Sequence, residues 1–135
     1  MFFFNKKSEL LLKRVLIVDD VDFNIEFEEE VIKSLTKDGE LEISVDIANT
    51  VQSAREKIIA NEPYDAMVID MNLPDGSGTE IAKIAYEKSP DTRLAALTIY
   101  PSKYENQQPF FDIFLRKPIM PSDYKRNFKY LLQLD

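Results

Sequence analysis

Short apolar runs alternate along this chain with longer segments whose apolar residues recur at helical spacing. The apolar runs lie at residues 15–18, 65–69, 94–97 and 111–115, and residues 41–48 alternate apolar with polar side chains. Such alternation is typical of βαβ units, in which helical crossovers join parallel strands. The sequence therefore predicts an α/β fold with five parallel strands and about five helices.

The first predicted helix, residues 22–37, has an apolar stripe and an acidic run. The stripe consists of Phe23, Phe27, Val31 and Leu35, and residues 28–30 are predicted to face away from it.

Three further helices are bounded by capping residues and prolines. The second is capped by Asn49 or Thr50 and runs to residue 61. The third covers residues 79–88 after an open loop, and the last covers residues 122–134. Between Thr98 and Lys117, two prolines predict a short or irregular helix.

The alternating segment 41–48 indicates a strand with one exposed face, hence an edge strand. A doubly wound sheet in the order 2-1-3-4-5 puts its second strand at an edge. The competing order 3-2-1-4-5 of dinucleotide-binding folds needs a glycine-rich first turn, but residues 19–22 read Asp-Asp-Val-Asp. We therefore predict a flavodoxin-like, doubly wound sheet in the order 2-1-3-4-5 with helices on both faces.

Composition excludes several kinds of site. The chain has no histidine, cysteine or tryptophan, so it has no catalytic triad, thiol nucleophile, histidine-bound zinc or disulfide. Its 135 residues, 44% of them hydrophobic, suit one domain at residues 14–135 after a lead-in at residues 1–13. The net charge of −7 disfavours direct nucleic-acid binding. With no apolar stretch long enough to span a membrane, we expect a cytoplasmic protein without a membrane role.

Charged side chains follow three of the predicted strands. Asp19 and Asp20 follow the first strand, Asp70 ends the third, and Lys117 follows the fifth. In the order 2-1-3-4-5, strands one and three adjoin at the ligand-binding switch point, so these groups should share one crevice. Two carboxylates about 4 Å apart repel by roughly 4 kcal/mol at an effective dielectric near 20. A divalent cation is therefore expected there.

Short motifs follow the strand ends in a fixed order. They are residues 18–20, residues 69–74 with Gly78, residues 97–98 and residues 114–118. Together they resemble the receiver domains of bacterial two-component response regulators, and the resemblance covers about residues 14–134.

The resemblance implies a phosphoacceptor and a metal site. Asp70 would accept a phosphoryl group from a histidine kinase or a histidine phosphotransfer protein, since this chain has no histidine. Asp19, Asp20, Asp70 and the backbone carbonyl of Asn72 would hold Mg²⁺. The protein would assist its own phosphorylation and dephosphorylation without being an enzyme.

The resemblance also implies roles beside the acceptor. Lys117 would pair with a phosphoryl oxygen, and Thr98 would donate its hydroxyl to another. Thr98 and Phe114 would form a switch, in which the ring turns inward when the threonine moves. The peptide bond before Pro118 would be cis. Tyr100, two residues after Thr98, is predicted to shield the acyl phosphate from water.

We expect the protein to pass its signal to a downstream protein target. A stand-alone receiver is favoured over a receiver excised from a larger kinase or regulator. The sequence leaves the oligomeric state open. One alternative is a phosphate-independent binding module on the same fold. A second is an aspartyl-phosphate phosphohydrolase, although adjacent Asp19 and Asp20 argue against its usual spacing. A third, a flavin-binding protein, would need a phosphate-cradling loop after the first strand.

Overall fold

The computed structural model describes residues 9–99 and 110–134. In chain order, the strands in this part are β1 (Leu11–Val18), β2 (Leu41–Ala48), β3 (Ala66–Asp70), β4 (Asn72–Leu73), β5 (Gly76–Ser77), β6 (Arg93–Thr98) and β7 (Ile113–Arg116). The helices are α1 (Asp22–Lys33), α2 (Val51–Ala60), α3 (Gly78–Lys88) and α4 (Pro121–Leu131). None of these helices is long and apolar enough to cross a membrane.

Five parallel strands form the main sheet in the order β2-β1-β3-β6-β7. This arrangement confirms the predicted order and places β2 at an edge. Val18 of β1 pairs with Ile69 of β3, so the two strands end side by side. The residues that follow Val18 and Ile69 are therefore neighbours at the carboxyl edge of the sheet.

The strands are buried on both faces because alternate side chains enter two separate cores. Val15 and Ile17 pack on the face that α1 and α4 cover, and Leu16 and Val18 pack on the opposite face with residues of α2 and α3. This explains why β1 reads as a continuous apolar run over residues 15–18. The sheet also includes residues 11–13 of the predicted lead-in.

Three predictions about α1 are wrong. The helix ends at Lys33, because the amides of Leu35 and Thr36 bond three residues back and tighten the chain. Phe23 is 76% exposed although it was assigned to the apolar stripe, and Glu28 is only 3% exposed although it was predicted to face away. Glu28 is buried because a hydroxyl on α4 supplies its hydrogen bond.

Other bounds differ by a few residues. The predicted cap Thr50 is confirmed, since its side chain accepts the amide of Ser53. A small hairpin, β4 and β5, replaces the open loop predicted after β3. Phe111 precedes β7 instead of beginning it, although its side chain is buried. The last helix ends three residues earlier than predicted. Most of the short helix predicted between Thr98 and Lys117 falls on residues 100–109, outside the described part.

Candidate functional site

Three carboxylates meet where β1 and β3 end. Asp19 is 0% exposed and Asp70 is 3% exposed, whereas Asp20 is exposed to solvent. Each residue has a carboxylate oxygen within 4.8 Å of the others. The level ends of the paired strands produce this cluster, as the sequence predicts.

The side chain of Lys117 faces this cluster from the end of β7. Its Nζ lies 3.0 Å from Asp70 Oδ2 and 4.0 Å from Asp19 Oδ2. The backbone amide of Lys117 donates to the carbonyl of Thr98 at 2.9 Å, which ties the lysine to the end of β6. The peptide bond between Lys117 and Pro118 is cis, the conformation that the resemblance implies.

Asp19 is held by donors at the start of α1. Its Oδ1 accepts the amide of Val21 at 2.9 Å, and the side chain of Asn24 donates to its two oxygens at 3.4 and 3.3 Å. Burial raises the pKa of Asp19, and the charge of Asp70 raises it further, while the amide of Val21 and the ammonium of Lys117 act in the opposite direction. A bound cation would offset the cost of keeping this buried carboxylate charged.

The chain around Asp70 is tightly packed. Asp70 Oδ1 accepts the amide of Asn72 at 3.0 Å, so the start of β4 contacts the carboxylate directly. At Gly78, an added Cβ would lie 2.7 Å from Ile69 Cγ2 and 2.9 Å from the carbonyl oxygen of Asp70. Only glycine allows α3 to begin this close to the strand that carries Asp70.

Thr98 and Phe114 occupy neighbouring strands beside the acidic cluster. Thr98 ends β6 and is 1% exposed, and β6 pairs directly with β3. Phe114 is half-buried, and its ring centroid lies 5.5 Å from that of Phe111. Tyr100, the predicted shield, lies outside the described residues.

The donor set at this edge fits a small, hard divalent cation. Asp19, Asp20 and Asp70 offer carboxylate oxygens, the ligands that Mg²⁺ prefers in proteins. Within residues 9–99 and 110–134, these three residues form the only acidic cluster of this kind. The ammonium of Lys117 balances part of the negative charge of this cluster. The carboxylate of Asp20 is exposed to solvent.

Several neighbours of the site escaped sequence reasoning. Asn24 supports Asp19 from within α1, and its place on the helix could have suggested this contact. Asp75 lies in the segment that was predicted as an open loop, yet it accepts two amides of α2. Glu28 and Tyr124 form a buried hydrogen bond across 96 residues of sequence, which no local pattern shows.

Comparison with known proteins agrees with this geometry. A family model described as a response regulator receiver domain matches residues 15–127. The response regulator protein PilR of Pseudomonas aeruginosa is 34% identical over 111 residues, which are 79% of this chain and 23% of PilR. The sensor protein ArcB of Escherichia coli is 31% identical over 110 residues, which are 78% of this chain and 13% of ArcB.

Two solved structures share the fold at 28% identity. A CheY-like receiver domain protein from Methanospirillum hungatei superimposes with a TM-score of 0.76 over 90% of this chain and 94% of that chain. TrrA from Thermotoga maritima, solved in complex with Mg²⁺ and BeF, superimposes with a TM-score of 0.71 over 89% of this chain and 99% of that chain. In contrast, the chain spans less than half the length of the curated relatives PilR, DevR/DosR and RegA.

Proposed function

Because the chain belongs to the response regulator receiver domain family, we propose that it accepts a phosphoryl group on Asp70 from a protein phosphohistidine. The observation that carries this proposal is the position of Asp70. Its buried carboxylate has a lysine ammonium 3.0 Å away and the carboxylates of Asp19 and Asp20 beside it. Phosphoryl transfer needs this combination of a nucleophile and charges that neutralise the transferred group.

In the transfer step, an oxygen of Asp70 forms a bond to phosphorus while the phosphorus–nitrogen bond of the donor phosphohistidine breaks. The bonding electron pair stays on the imidazole nitrogen, which then takes up a proton. The donor histidine belongs to a kinase or a phosphotransfer protein, since this chain contains no histidine. Lys117 pairs with one phosphoryl oxygen, and the hydroxyl of Thr98 donates to another.

Asp19, Asp20, Asp70 and the carbonyl of Asn72 would hold Mg²⁺. The ion supplies positive charge that offsets the negative charge of the phosphoryl oxygens. The cluster of hard oxygen donors supports this assignment, as does the complex of the related TrrA with Mg²⁺ and BeF. Asn24 and the amide of Val21 orient the carboxylate of Asp19 for this purpose.

Phosphorylation would then alter the surface that a downstream protein contacts. Movement of Thr98 toward the phosphoryl group would vacate space near β7, and the half-buried ring of Phe114 would turn into it. The aromatic resonances of Phe114 should therefore shift on phosphorylation of wild-type protein. Unchanged Phe114 resonances in fully phosphorylated protein would contradict this switch.

Exposed apolar side chains around the site support a protein donor. Phe23 is 76% exposed, and Val21, Ile99 and Met120 are also exposed near the loops that carry Asp19 and Lys117. Phe23 and Ile99 line one pocket together with Asp19 and Lys117, and exposed apolar side chains beside a site commonly mark contact with a protein. A histidine kinase or phosphotransfer protein as donor, a downstream protein target and a cytoplasmic location stay predictions from the sequence.

Intact mass measurement with Mg²⁺ and acetyl phosphate tests the proposal. Wild-type protein should gain one phosphoryl group, and Asp70→Asn should gain none because its amide is not a nucleophile. Metal binding by each protein is measured separately by calorimetry. Mg²⁺ binding without phosphorylation would favour a phosphate-independent binding module on the receiver fold. Continuous hydrolysis of a small phosphate ester would instead favour a phosphohydrolase.

A further inference from the structure

The hairpin after Asp70 has few contacts of its own. Only two residue pairs join β4 to β5, namely Asn72 with Ser77 and Leu73 with Gly76. An isolated hairpin of this size is not stable in water, so contacts with other elements must hold it in place. Because β4 includes Asn72, these contacts also determine where the Asn72 carbonyl lies relative to Asp70.

The base of the hairpin is attached to the site and to α3. The amide of Asn72 donates to Asp70 Oδ1 at 3.0 Å. On the other strand, Ser77 and Glu80 form a reciprocal capping box at the start of α3. These contacts leave the two-residue tip, Pro74 and Asp75, to be held by something else.

Asp75 attaches the tip to the first turn of α2. Its Oδ1 accepts the amide of Val51 at 2.7 Å, and its Oδ2 accepts the amide of Gln52 at 3.0 Å. These two hydrogen bonds lower the pKa of Asp75, because they favour its charged form. A carboxylate in this position also interacts favourably with the helix dipole.

The packing at Gly76 is independent evidence for the same contact. An added Cβ there would lie 3.1 Å from Val51 Cγ2 and would collide with Glu80 Oε2. Leu73 and Val51 also pack on the same core cluster. The hairpin is therefore seated against α2 through both its backbone and its side chains.

From these contacts we infer that Asp75 is a positioning residue for the metal site. By joining the hairpin tip to α2, it holds the Asn72 carbonyl where Mg²⁺ would bind. This inference rests on the proposed Mg²⁺ site. It assigns Asp75 a role through the hairpin backbone and not as a metal ligand.

Mg²⁺ affinity of Asp75→Ala, measured by titration calorimetry, tests the inference. Loss of a residue that supports a metal ligand typically weakens binding about 10- to 100-fold, and we expect the lower end of that range. Hydrogen exchange should accelerate at the amides of Val51 and Gln52, which lose their acceptor. Because metal affinity is the readout, the result does not depend on phosphorylation.

Thr50→Val is the matched control. It removes the side chain that accepts the amide of Ser53 at the same end of α2, but it leaves the hairpin contact in place. Both variants should unfold at a lower urea concentration than wild type, because each loses an acceptor for an amide in the first turn of α2. Only Asp75→Ala should lose Mg²⁺ affinity, and an equal loss in Thr50→Val would overturn the inference.

Salt dependence separates positioning from simple charge removal. Asp75 is exposed, so any through-space attraction for Mg²⁺ should be screened at about 0.5 M KCl. The affinity difference between wild type and Asp75→Ala should persist in this salt, and its disappearance would overturn the inference. Absence of Mg²⁺ binding by wild-type protein would overturn the proposed metal site as well. Mg²⁺ binding that is equal in wild type and Asp75→Ala would overturn the role of Asp75 alone.

Discussion

Asp70 and Glu28 are both buried carboxyl groups, but their partners differ. Asp70 Oδ2 lies 3.0 Å from the ammonium of Lys117, whereas Glu28 Oε1 accepts the hydroxyl of Tyr124 at 2.8 Å. Burial raises the pKa of Glu28 to about 8, because the hydroxyl only partly offsets the loss of water. The partner therefore decides whether a buried carboxyl is presented beside a cation or is largely neutral at pH 7.

The charges of the acidic cluster also act on Glu28. The charges of Asp19 and Asp70 contribute to the raised pKa of Glu28. A neutral Glu28 adds no fourth negative charge beside the acidic cluster. It serves instead at the contact between α1 and α4, where the rings of Phe27 and Tyr124 pack edge to face with centroids 5.7 Å apart.

The largest expected effect comes from removing the ammonium group of Lys117, which lies beside Asp70. Lys117→Met should slow phosphorylation by acetyl phosphate about 100- to 1,000-fold, because one preorganised donor is worth about 3–4 kcal/mol in such a transition state. Mass spectrometry at timed intervals measures this rate. Tyr124→Phe removes the partner of Glu28 and should leave the rate unchanged. Equal slowing in both variants would contradict the difference between Asp70, which has a cationic partner, and Glu28, which has a hydroxyl partner.

The pH dependence of stability tests the charge of Glu28. Its pKa is 4.5 in an ordinary setting and about 8 in the folded protein. The folded state therefore favours the protonated form, whose stabilising contribution is complete below pH 4.5 and is lost as pH rises toward 8. The stability of wild type minus that of Glu28→Gln should fall by about 3 kcal/mol between pH 5 and pH 7.5.

Urea unfolding of both proteins at several pH values provides this difference. Subtracting the stability of Glu28→Gln removes the pH dependence that the two proteins share. Above pH 8, the difference should level off because Glu28 is then ionised in both states. A difference that does not vary with pH would mean that Glu28 has an ordinary pKa in the folded protein.

The smallest expected effect concerns the hydroxyl of Tyr124. Tyr124→Phe should cost about 1–2 kcal/mol of stability at pH 6, because Glu28 loses its hydrogen-bond donor within the described structure. Tyr130→Phe on the same helix is the control, since Tyr130 is 56% exposed and should tolerate the change. Chemical denaturation measures the free energy of unfolding of both variants. Equal losses would assign the effect to the helix and not to the buried hydrogen bond.

The strand order and the acidic cluster were predictable because their signals are local. Each buried strand is a continuous apolar run, and β2 shows the alternation of an edge strand. Asp19 and Asp70 come directly after or at the end of such runs, and parallel strands bring these ends together. The ends of α1 and β7 were less predictable, because they depend on hydrogen bonds that the residue pattern does not reveal.

The sequence by itself determined the strand order of the sheet and the cluster of Asp19, Asp20 and Asp70. It also determined that the ammonium group of Lys117 faces this cluster. Only the tertiary structure decided that Glu28 is buried against Tyr124 and that Asp75 binds the start of α2. Hydrophobic periodicity reports which face of an element is buried when the partner is apolar. It cannot report a polar side chain whose burial depends on one donor from a distant part of the chain.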